Sequence, residues 1–417
     1  MASFRIRRAL PVLFTLVSFG VVPGAGVAVA DASPGAVRLP VVPGRLADGA
    51  ACTAGSSEVV TAAPWEQRSL QLTRVRSAGT GAGVTVAVVD TGVSAAAPAL
   101  AGRVTVSGGA GADCVGHGTF VAGLVAAAPV AGVSFAGVAP GARILAVRGT
   151  DGRGAATAAT VARGIRAAVD GGAGVVVVSP ALTEDSAALR GAVGYAARHD
   201  TLIVAAAVPD GFGGSTGTAP PARDYWPAAF DGVLSVLDVD VDGVRPAGAF
   251  APLRADLAAP GQGVLGIGPR GRGHLIGSGA SLAAGYAAGA AALIRAARPE
   301  LTAAQTADRL IATAYPADVP RLDPYAALTT VRAASPAPVP AAEAPAPVRP
   351  AHDGGAVRAT HRALLLAGAG AGVLLLVVWA AVVVPRGRAR GWRPGGPVAA
   401  AADPGGPGAG EGRTTGH

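Results

Sequence analysis

Lysine is absent from this 417-residue chain, and all 34 basic side chains are arginines. Because alanine, glycine and proline are abundant as well, we interpret the missing lysine as a property of genome composition without functional content. The chain also lacks a basic domain, although its net charge is +8. All of that excess lies in residues 1–30 and 358–417, so residues 31–357 have no net charge. This distribution excludes the basic surface that nucleic-acid binding requires.

The sequence has two long apolar runs, one near each end of the chain. Residues 1–30 are typical of a secretory signal peptide, with three arginines, an apolar stretch and the small residues Ala28-Val29-Ala30. An uncleaved anchor is the alternative for this segment. The second run, residues 363–384, is uncharged and long enough to cross a hydrocarbon core of about 30 Å as a helix. We predict a transmembrane helix there, with a buried soluble helix as the alternative.

Charge beside the second run predicts its orientation. Four arginines follow it within ten residues: Arg386, Arg388, Arg390 and Arg393. Positively charged residues next to a span stay on the cytoplasmic side. We therefore predict a single-pass protein of the cell membrane, with its large domain outside the cytoplasm and residues 385–417 as a cytoplasmic, disordered tail.

Cysteine is scarce too, since Cys52 and Cys114 are the only two. An even number of cysteines in an exported chain favours a disulfide. Such a bond would close a loop of about 63 residues and stabilise the fold by about 4 kcal/mol on the loop-entropy model. Two free thiols or a two-ligand metal site are the alternatives. No cofactor and no metal site is predicted.

Residues 81–332 alternate short apolar runs with alanine-rich helical patterns. This alternation indicates an α/β fold with a doubly wound, mostly parallel sheet and helices on both faces. Residues 31–80 are predicted to be an irregular N-terminal extension anchored by Trp65, and residues 333–362 an extended proline- and alanine-rich linker. The predicted strands are 84–89, 143–147, 174–179, 201–206 and 232–237, and the predicted helices are 117–128, 158–170 and 185–198, with two more beginning at Ser281 and at the Thr302 capping box.

Three glycine-rich phrases carry the candidate chemistry: VAVVDTG contains Asp90, GHGTFVAG contains His117, and GSGASLAAG contains Ser281. A serine hydroxyl needs an imidazole to take its proton and a carboxylate to orient that imidazole. Acid, base and nucleophile in this order define a serine-hydrolase pattern. A turn-capping role for Asp90 and a helix-capping role for Ser281 are the alternatives.

Together with GVAPGARILAVR, DLAAPGQGVLGI and LDPYAAL, these phrases resemble the subtilisin-like serine proteases, or subtilases, over roughly residues 60 to 330. Within that family the chain is similar to the mycosins, membrane-anchored proteases associated with type VII secretion in actinobacteria. The resemblance implies that Ser281 attacks the scissile carbonyl, His117 transfers the proton and Asp90 orients His117.

The same resemblance supports two further expectations. It implies the pairing of Cys52 with Cys114. It also implies that Ser179, Pro180 and Ala181 line a cleft in which an extended peptide binds by strand addition.

The chain departs from the family pattern where a subtilase has the Gly-Asn that provides an amide donor to the oxyanion. Val208-Pro209-Asp210 stand there, and neither valine nor proline supplies that donor. In subtilisin, loss of the amide lowers turnover about 10²- to 10³-fold. Three smaller departures are Ala280, Gly285 and Val177, which replace the family's Thr, Pro and Asn. We expect slow turnover from these changes.

The sequence therefore predicts a membrane-anchored endopeptidase that acts on exported proteins or peptides. A second hypothesis is a catalytically feeble, protease-shaped scaffold that stabilises the membrane components of a type VII secretion complex. The membrane anchor and the lost asparagine are compatible with both hypotheses.

Overall fold

The computed structural model describes residues 38–211, 220–331 and 354–391, with side chains from residue 359 in the last range. The predicted signal peptide, most of the predicted linker and the tail beyond residue 391 lie outside these ranges. The chain divides into two compact units, Met1–Arg332 and Ala333–His417.

The first unit is built on a parallel sheet. Its strands are β1 (Thr85–Asp90), β2 (Val104–Val106), β3 (Arg143–Arg148), β4 (Val175–Val178), β5 (Leu202–Ala206), β6 (Val233–Val239) and β7 (Leu257–Pro260). They pair in the order β2-β3-β1-β4-β5-β6-β7, and every pair is parallel. An antiparallel pair, β8 (Val264–Ile267) with β9 (His274–Gly277), forms a second small sheet. The predicted doubly wound, mostly parallel α/β fold is confirmed.

Helices cover both faces of the sheet. The helices are α1 (Trp65–Ser69), α2 (Leu72–Ala78), α3 (His117–Ala126), α4 (Ala158–Asp170), α5 (Ala187–Arg198), α6 (Ala280–Ala297), α7 (Ala303–Ala312), α8 (Pro324–Thr329) and α9 (Gly354–Ala389). Helices α3 and α6 pack on one face, and α4 and α5 pack on the other. Side chains of β1 contribute to the cores on both faces of the sheet. Val86 and Val88 pack in the core with α3 and α6, and Ala87 and Val89 pack in the core with α4 and α5. A run of apolar residues without polar alternation is what such a doubly covered strand needs.

Strand order reverses beside β1. The chain places β3 on one side of β1 and then crosses over to place β4 on the other side. The crevice at the carboxyl ends of two such strands is where open α/β sheets carry their binding sites.

The N-terminal extension is more regular than predicted, since α1 and α2 lie within it. Leu72 and Val75 are three residues apart, so they share one helix face, and both are fully buried in the main core. Trp65 packs against that core, and its indole N–H donates to the carbonyl of Gly263 at 3.3 Å. The prediction of an irregular segment was wrong for residues 65–78, because this short amphipathic pattern gains its stability from packing.

Helix α7 begins as the sequence predicted. The Thr302 hydroxyl accepts from the Gln305 N–H at 3.2 Å, and the Gln305 side chain accepts from the Thr302 N–H at 2.9 Å. This reciprocal capping box satisfies two N–H groups that a helix otherwise leaves free.

The second unit contains α9. Its residues 359–389 are mostly apolar and long enough to cross a membrane, and the most apolar part of this stretch is fully unburied. Helix α6 is also long and apolar enough to cross a membrane, but it is mostly buried in the protein core. Helix α9 begins at Gly354, so the prediction of an extended linker was wrong for residues 354–362, where no proline opposes a helix.

Candidate active site

A cleft of about 640 Å³ opens at the carboxyl ends of the central strands. Asp90 is the last residue of β1, Ser179 directly follows β4, and Asp210 lies four residues beyond β5. All three line the cleft, together with His117 from the first turn of α3. The parallel topology therefore gathers residues from distant parts of the chain at one edge of the sheet.

Asp90 and His117 form a buried pair. The two carboxylate oxygens of Asp90 lie 2.8 and 3.0 Å from Nδ1 of His117. Their side chains are only 2% and 7% exposed. Burial alone would raise the pKa of Asp90, but the adjacent positive charge of His117 holds this pKa below its usual value. Asp90 is therefore a permanent negative charge that orients the ring and favours its protonated form.

A second buried carboxylate, Asp113, holds the backbone around His117. It accepts from the Gly116 N–H at 2.7 Å, from the Thr119 N–H at 2.8 Å, and from the Thr119 and Thr91 hydroxyls at 2.7 and 2.8 Å. These bonds join the loop after β1 to the start of α3. Asp113 thereby fixes the position from which His117 faces Asp90.

Glycine is required beside His117 for a steric reason. A Cβ atom on Gly118 would lie 2.0 Å from the carbonyl oxygen of Gly92, which is shorter than any real contact. The glycines in the phrases around Asp90 and His117 therefore allow the two backbones to approach closely enough for their side chains to meet.

Ser281 completes the hydrogen-bond chain. It is the second residue of α6 and is fully buried. Its Oγ lies 3.0 Å from Nε2 of His117, on the ring nitrogen opposite to the one that contacts Asp90. The structure thus brings Asp90, His117 and Ser281 together in the order that proton transfer from a serine requires.

Asp210 makes an additional contact that sequence reasoning missed. Its Oδ2 accepts from the Ser281 hydroxyl at 2.5 Å, its Oδ1 accepts from the Ser281 N–H at 3.0 Å, and its Oδ2 lies 3.3 Å from His117 Nε2. A Cβ atom on Gly279 would lie 2.0 Å from Asp210 Oδ1, so only glycine leaves room for this carboxylate. A hydrogen-bond acceptor therefore occupies the space beside the Ser281 amide.

The sequence analysis placed the missing amide at Val208 and Pro209, whereas the residue that reaches Ser281 is Asp210. An available signal was its position after β5, at the same sheet edge as Asp90. A second signal was composition, because the whole chain contains no asparagine. No residue of this protein can provide the asparagine amide of the family pattern.

The carboxylates on both sides change the ionisation of His117. Burial alone would lower its pKa, but the charge of Asp90 and the hydrogen bonds of Asp210 and Asp90 together raise the pKa of His117 well above its usual value. An imidazole in this environment tends to keep its proton at neutral pH. This reduces the fraction of molecules in which His117 can act as a base.

The walls of the cleft come from two parts of the chain. Ser179, Pro180 and Ala181 lie along one side, and Gly44 and Arg45 of the N-terminal extension also line the cleft. The extension is held there by backbone pairing, because the Leu46 N–H donates to the Arg153 carbonyl at 2.9 Å. Sequence reasoning did not assign Gly44 or Arg45 to the site.

A disulfide between Cys52 and Cys114 fastens the extension three residues before His117, which confirms the predicted bond. The neighbouring Thr53 adds two hydrogen bonds: its N–H donates to the Cys114 carbonyl at 2.9 Å, and its hydroxyl donates to the Val115 carbonyl at 2.5 Å. In the described parts of the chain, no three His, Cys, Asp or Glu side chains group in a way that could hold a metal ion.

Comparison with known proteins places this site in a family. The sequence model of the subtilase family matches residues 81–348. Mycosin-4 of Mycobacterium tuberculosis is 34% identical over 322 residues, which cover 66% of this chain and 70% of that protein. The crystal structure of MycP1 from Mycobacterium smegmatis is similar with a TM-score of 0.60 at 27% identity, covering 73% of this chain and 96% of that chain.

A larger assembly contains a similar chain. In the structure of the periplasmic assembly from the ESX-5 inner membrane complex, the matching chain has a TM-score of 0.61 and 30% identity, with 75% of this chain and 96% of that chain covered. The family match spans most of the first compact unit, including β1, α3 and α6. The chain therefore belongs to the subtilase family of serine endopeptidases, and within that family it is mycosin-like.

Proposed function

We propose that this protein is a membrane-anchored serine endopeptidase of the mycosin type that cleaves exported proteins or peptides. The observation that carries the proposal is the unbroken hydrogen-bond chain from Asp90 through His117 to Ser281. Ser281 is the nucleophile, His117 the general base and acid, and Asp90 the residue that orients His117 and stabilises its charge.

The reaction follows from these positions. Ser281 Oγ attacks the scissile carbonyl carbon while His117 Nε2 takes the hydroxyl proton. The Ser281 N–H, at the N-terminus of α6, donates to the oxygen that becomes negatively charged. His117 then returns the proton to the leaving amine, and water releases the acyl group from Ser281. Ser179, Pro180 and Ala181 hold the substrate backbone in an extended form along the cleft wall.

We further propose that the protease domain, residues 81–332, lies outside the cytoplasm. The apolar helix α9 is the single span, and the arginines after it keep residues 385–417 in the cytoplasm. Residues 1–30 direct export, and residues 38–80 of the extension lie along the protease domain. Structural similarity to a chain of the ESX-5 inner membrane complex supports an association with a type VII secretion complex.

Labelling with a fluorophosphonate tests the peptidase. The full-length protein in detergent should be labelled, whereas Ser281→Ala should not react. Ser77→Ala is the matched control, because it removes a hydroxyl from the exposed side of α2 and should leave labelling unchanged. Absence of labelling in the unaltered protein would contradict the enzymatic proposal.

Introduced cysteines test the orientation. The two natural cysteines are bonded to each other, so a single new thiol gives an unambiguous signal. Ser77→Cys should react with a membrane-impermeant maleimide in intact cells, and Gly391→Cys should react only after permeabilisation. Labelling of Gly391→Cys in intact cells would reverse the proposed topology.

One observation favours a second candidate function, a scaffold for a type VII membrane complex. The Asp210 carboxylate engages both the hydroxyl and the N–H of Ser281, which catalysis needs free. If the protein acts as a scaffold, cells with the Ser281→Ala variant should assemble as much of the complex as cells with the unaltered protein. Deletion of the gene should reduce the yield of the complex. Loss of the complex in Ser281→Ala cells would contradict a role independent of cleavage.

A further inference from the structure

We infer that Asp210 and His117 share one proton across their contact, and that Ser281 reacts only in the form in which Asp210 carries this proton and donates it as a hydrogen bond to the oxyanion. The inference rests on the proposed peptidase function and concerns the control of that same site. It starts from the 3.3 Å between Asp210 Oδ2 and His117 Nε2 and from the two bonds between Asp210 and Ser281.

An ionised Asp210 opposes the reaction in two ways. It accepts the Ser281 N–H that the oxyanion needs, and it places a negative charge where the negative oxyanion must form. Like charges at such a distance disfavour each other strongly in a site with little water. The ionised form therefore has a closed oxyanion site.

A neutral Asp210 has the opposite effect. Its O–H group is a donor, and it lies beside the Ser281 N–H, so the two can hold one oxygen between them. A carboxylic acid that stays neutral and donates to an oxyanion is an established device in enzymes. In this chain, which has no asparagine, the acid form of Asp210 takes the place of the amide.

The number of protons held by Asp210 and His117 together determines whether the site can react. With two protons, His117 is charged and cannot act as a base. With none, His117 is neutral but the Asp210 carboxylate closes the oxyanion site. With one proton, the arrangement of neutral His117 and protonated Asp210 is productive, and it interconverts with the arrangement of charged His117 and ionised Asp210. Because the two sites titrate together, activity follows the population of the one-proton pair.

The charges around Asp210 favour the unproductive arrangement. His117 on α3 touches it, Asp90 at the end of β1 lies on the far side of the His117 ring, and Arg45 of the extension lines the same cleft. Against the effect of burial, the carboxylates on both sides of the ring keep the pKa of His117 well above its usual value. The productive arrangement is therefore a minority of the one-proton pair.

The reaction step balances without loss of the Asp210 proton. The Ser281 hydroxyl proton moves to His117 Nε2 as the bond from Oγ to the carbonyl carbon forms. The carbonyl electron pair moves to the oxygen, which accepts hydrogen bonds from Asp210 and from the Ser281 N–H. When the C–N bond breaks, His117 gives its proton to the amine, and Asp210 still holds its own.

The test is the pH dependence of the full-length protein in detergent, measured between pH 5 and pH 10 by fluorophosphonate labelling rate and by peptide anilide hydrolysis. The unaltered protein should give a bell-shaped profile with a fall on the alkaline side. Asp210→Asn supplies a donor that does not titrate, so its rate should rise to an alkaline plateau about 10²- to 10³-fold above the unaltered protein. Asp210→Ala should also reach a plateau, but at a lower rate. Asp231→Asn changes a fully exposed carboxylate and should retain the bell shape.

The outcomes separate this inference from the proposed function. An alkaline plateau in the unaltered protein, or an unchanged alkaline fall in Asp210→Asn, would overturn the shared proton and leave the peptidase intact. If neither protein labels at any pH while both show cooperative thermal unfolding, the peptidase and the inference fail together. The profile of the unaltered protein decides the matter even if a variant misfolds.

Discussion

Two carboxylates face His117 from opposite sides, and their surroundings differ. Asp90 contacts Nδ1, away from the reacting atoms, and its side chain is 2% exposed. Asp210 contacts the Nε2 side, which faces Ser281, and its side chain is 25% exposed. The same functional group stabilises the imidazolium in both places, but only on the Nε2 side does it compete with the substrate oxygen. Position relative to the reacting atoms, and not charge, determines whether an acid assists or opposes catalysis.

The Asp90 side is also the better supported of the two. Asp113 holds the loop after β1 and the start of α3, and the disulfide at Cys114 fastens the extension to the segment directly before α3. The hydrogen bonds and ion pairs described for the Asp210 side chain are with Ser281 and His117. A change on the Asp90 side should therefore affect the fold as well as the reaction, whereas a change at Asp210 should affect mainly the reaction.

The largest expected effect is that of Asp90→Asn. It removes the charge that stabilises protonated His117 and allows the wrong tautomer of the His117 ring. The kcat should therefore fall about 10⁴-fold, as it does for the same change in another enzyme with this triad. Hydrolysis of a peptide anilide measures the loss, with Asp231→Asn as the control. A fall of less than tenfold would show that Asp210 can replace Asp90 as the partner of His117, and the contrast between the two sides would disappear.

The disulfide should contribute to stability on the Asp90 side without altering the chemistry. Replacing both Cys52 and Cys114 with alanine should lower the free energy of unfolding by about 4 kcal/mol, on the loop-entropy model for a loop of about 63 residues. Denaturant titration of the full-length protein in detergent measures this loss. The bell-shaped pH profile should persist in the double variant, and its disappearance would mean that the extension controls the proton shared by Asp210.

Glu66 on α1 is another buried carboxylate, and the hydrogen bond described for it comes from a backbone N–H. Its Oε1 accepts from the Leu265 N–H at 3.0 Å, and burial raises its pKa from 4.5 to about 7. In the folded protein Glu66 therefore stays neutral at a pH where the unfolded chain would ionise it. The contribution of Glu66 to the free energy of unfolding should be greatest below pH 4.5 and fall by roughly 3 kcal/mol as the pH rises to about 7.

Glu66→Gln is the matched test of this pH dependence. The amide keeps an acceptor for Leu265 and cannot ionise, so the variant should show no fall attributable to this position between pH 4.5 and about 7. The difference between the two unfolding curves, measured across that range, isolates the contribution. Parallel curves would mean that Glu66 ionises freely and that burial without a partner does not suffice to keep a carboxylate neutral here.

Elements whose signal lies in a short run of neighbouring residues could be predicted from the sequence. The five predicted strands, which are short and mostly apolar, helix α4 and the Thr302 capping box follow from local pattern. Strands β2 and β7 were missed, since β2 has three residues and is largely exposed and β7 ends in Pro260. Such short segments become strands because a neighbouring strand supplies their hydrogen bonds.

The site was predictable to the extent that its residues lie in distinctive phrases. Asp90, His117 and Ser281 each lie within one, and Cys52 and Cys114 could only pair with each other. Asp210 lies in no such phrase, and its contact with Ser281 depends on how the loop after β5 turns towards α6. Gly44 and Arg45 line the cleft beside Leu46, whose N–H donates to the Arg153 carbonyl, and side-chain patterns do not encode such a backbone bond.

The composition of α6 matters before the protein folds. If the domain is exported as proposed, this 18-residue apolar helix passes the translocation channel unfolded, where a sufficiently hydrophobic segment is released sideways into lipid. Only three of its side chains are large aliphatics, Leu282, Leu293 and Ile294, and Arg295 follows them, whereas residues 363–384 contain six leucines and six valines. The small residues that let α6 pack closely in the core, such as Gly289 against Val138, also keep it too weakly hydrophobic to be retained. The channel should therefore pass α6 and stop at α9, so that the same side chains serve the fold and its delivery.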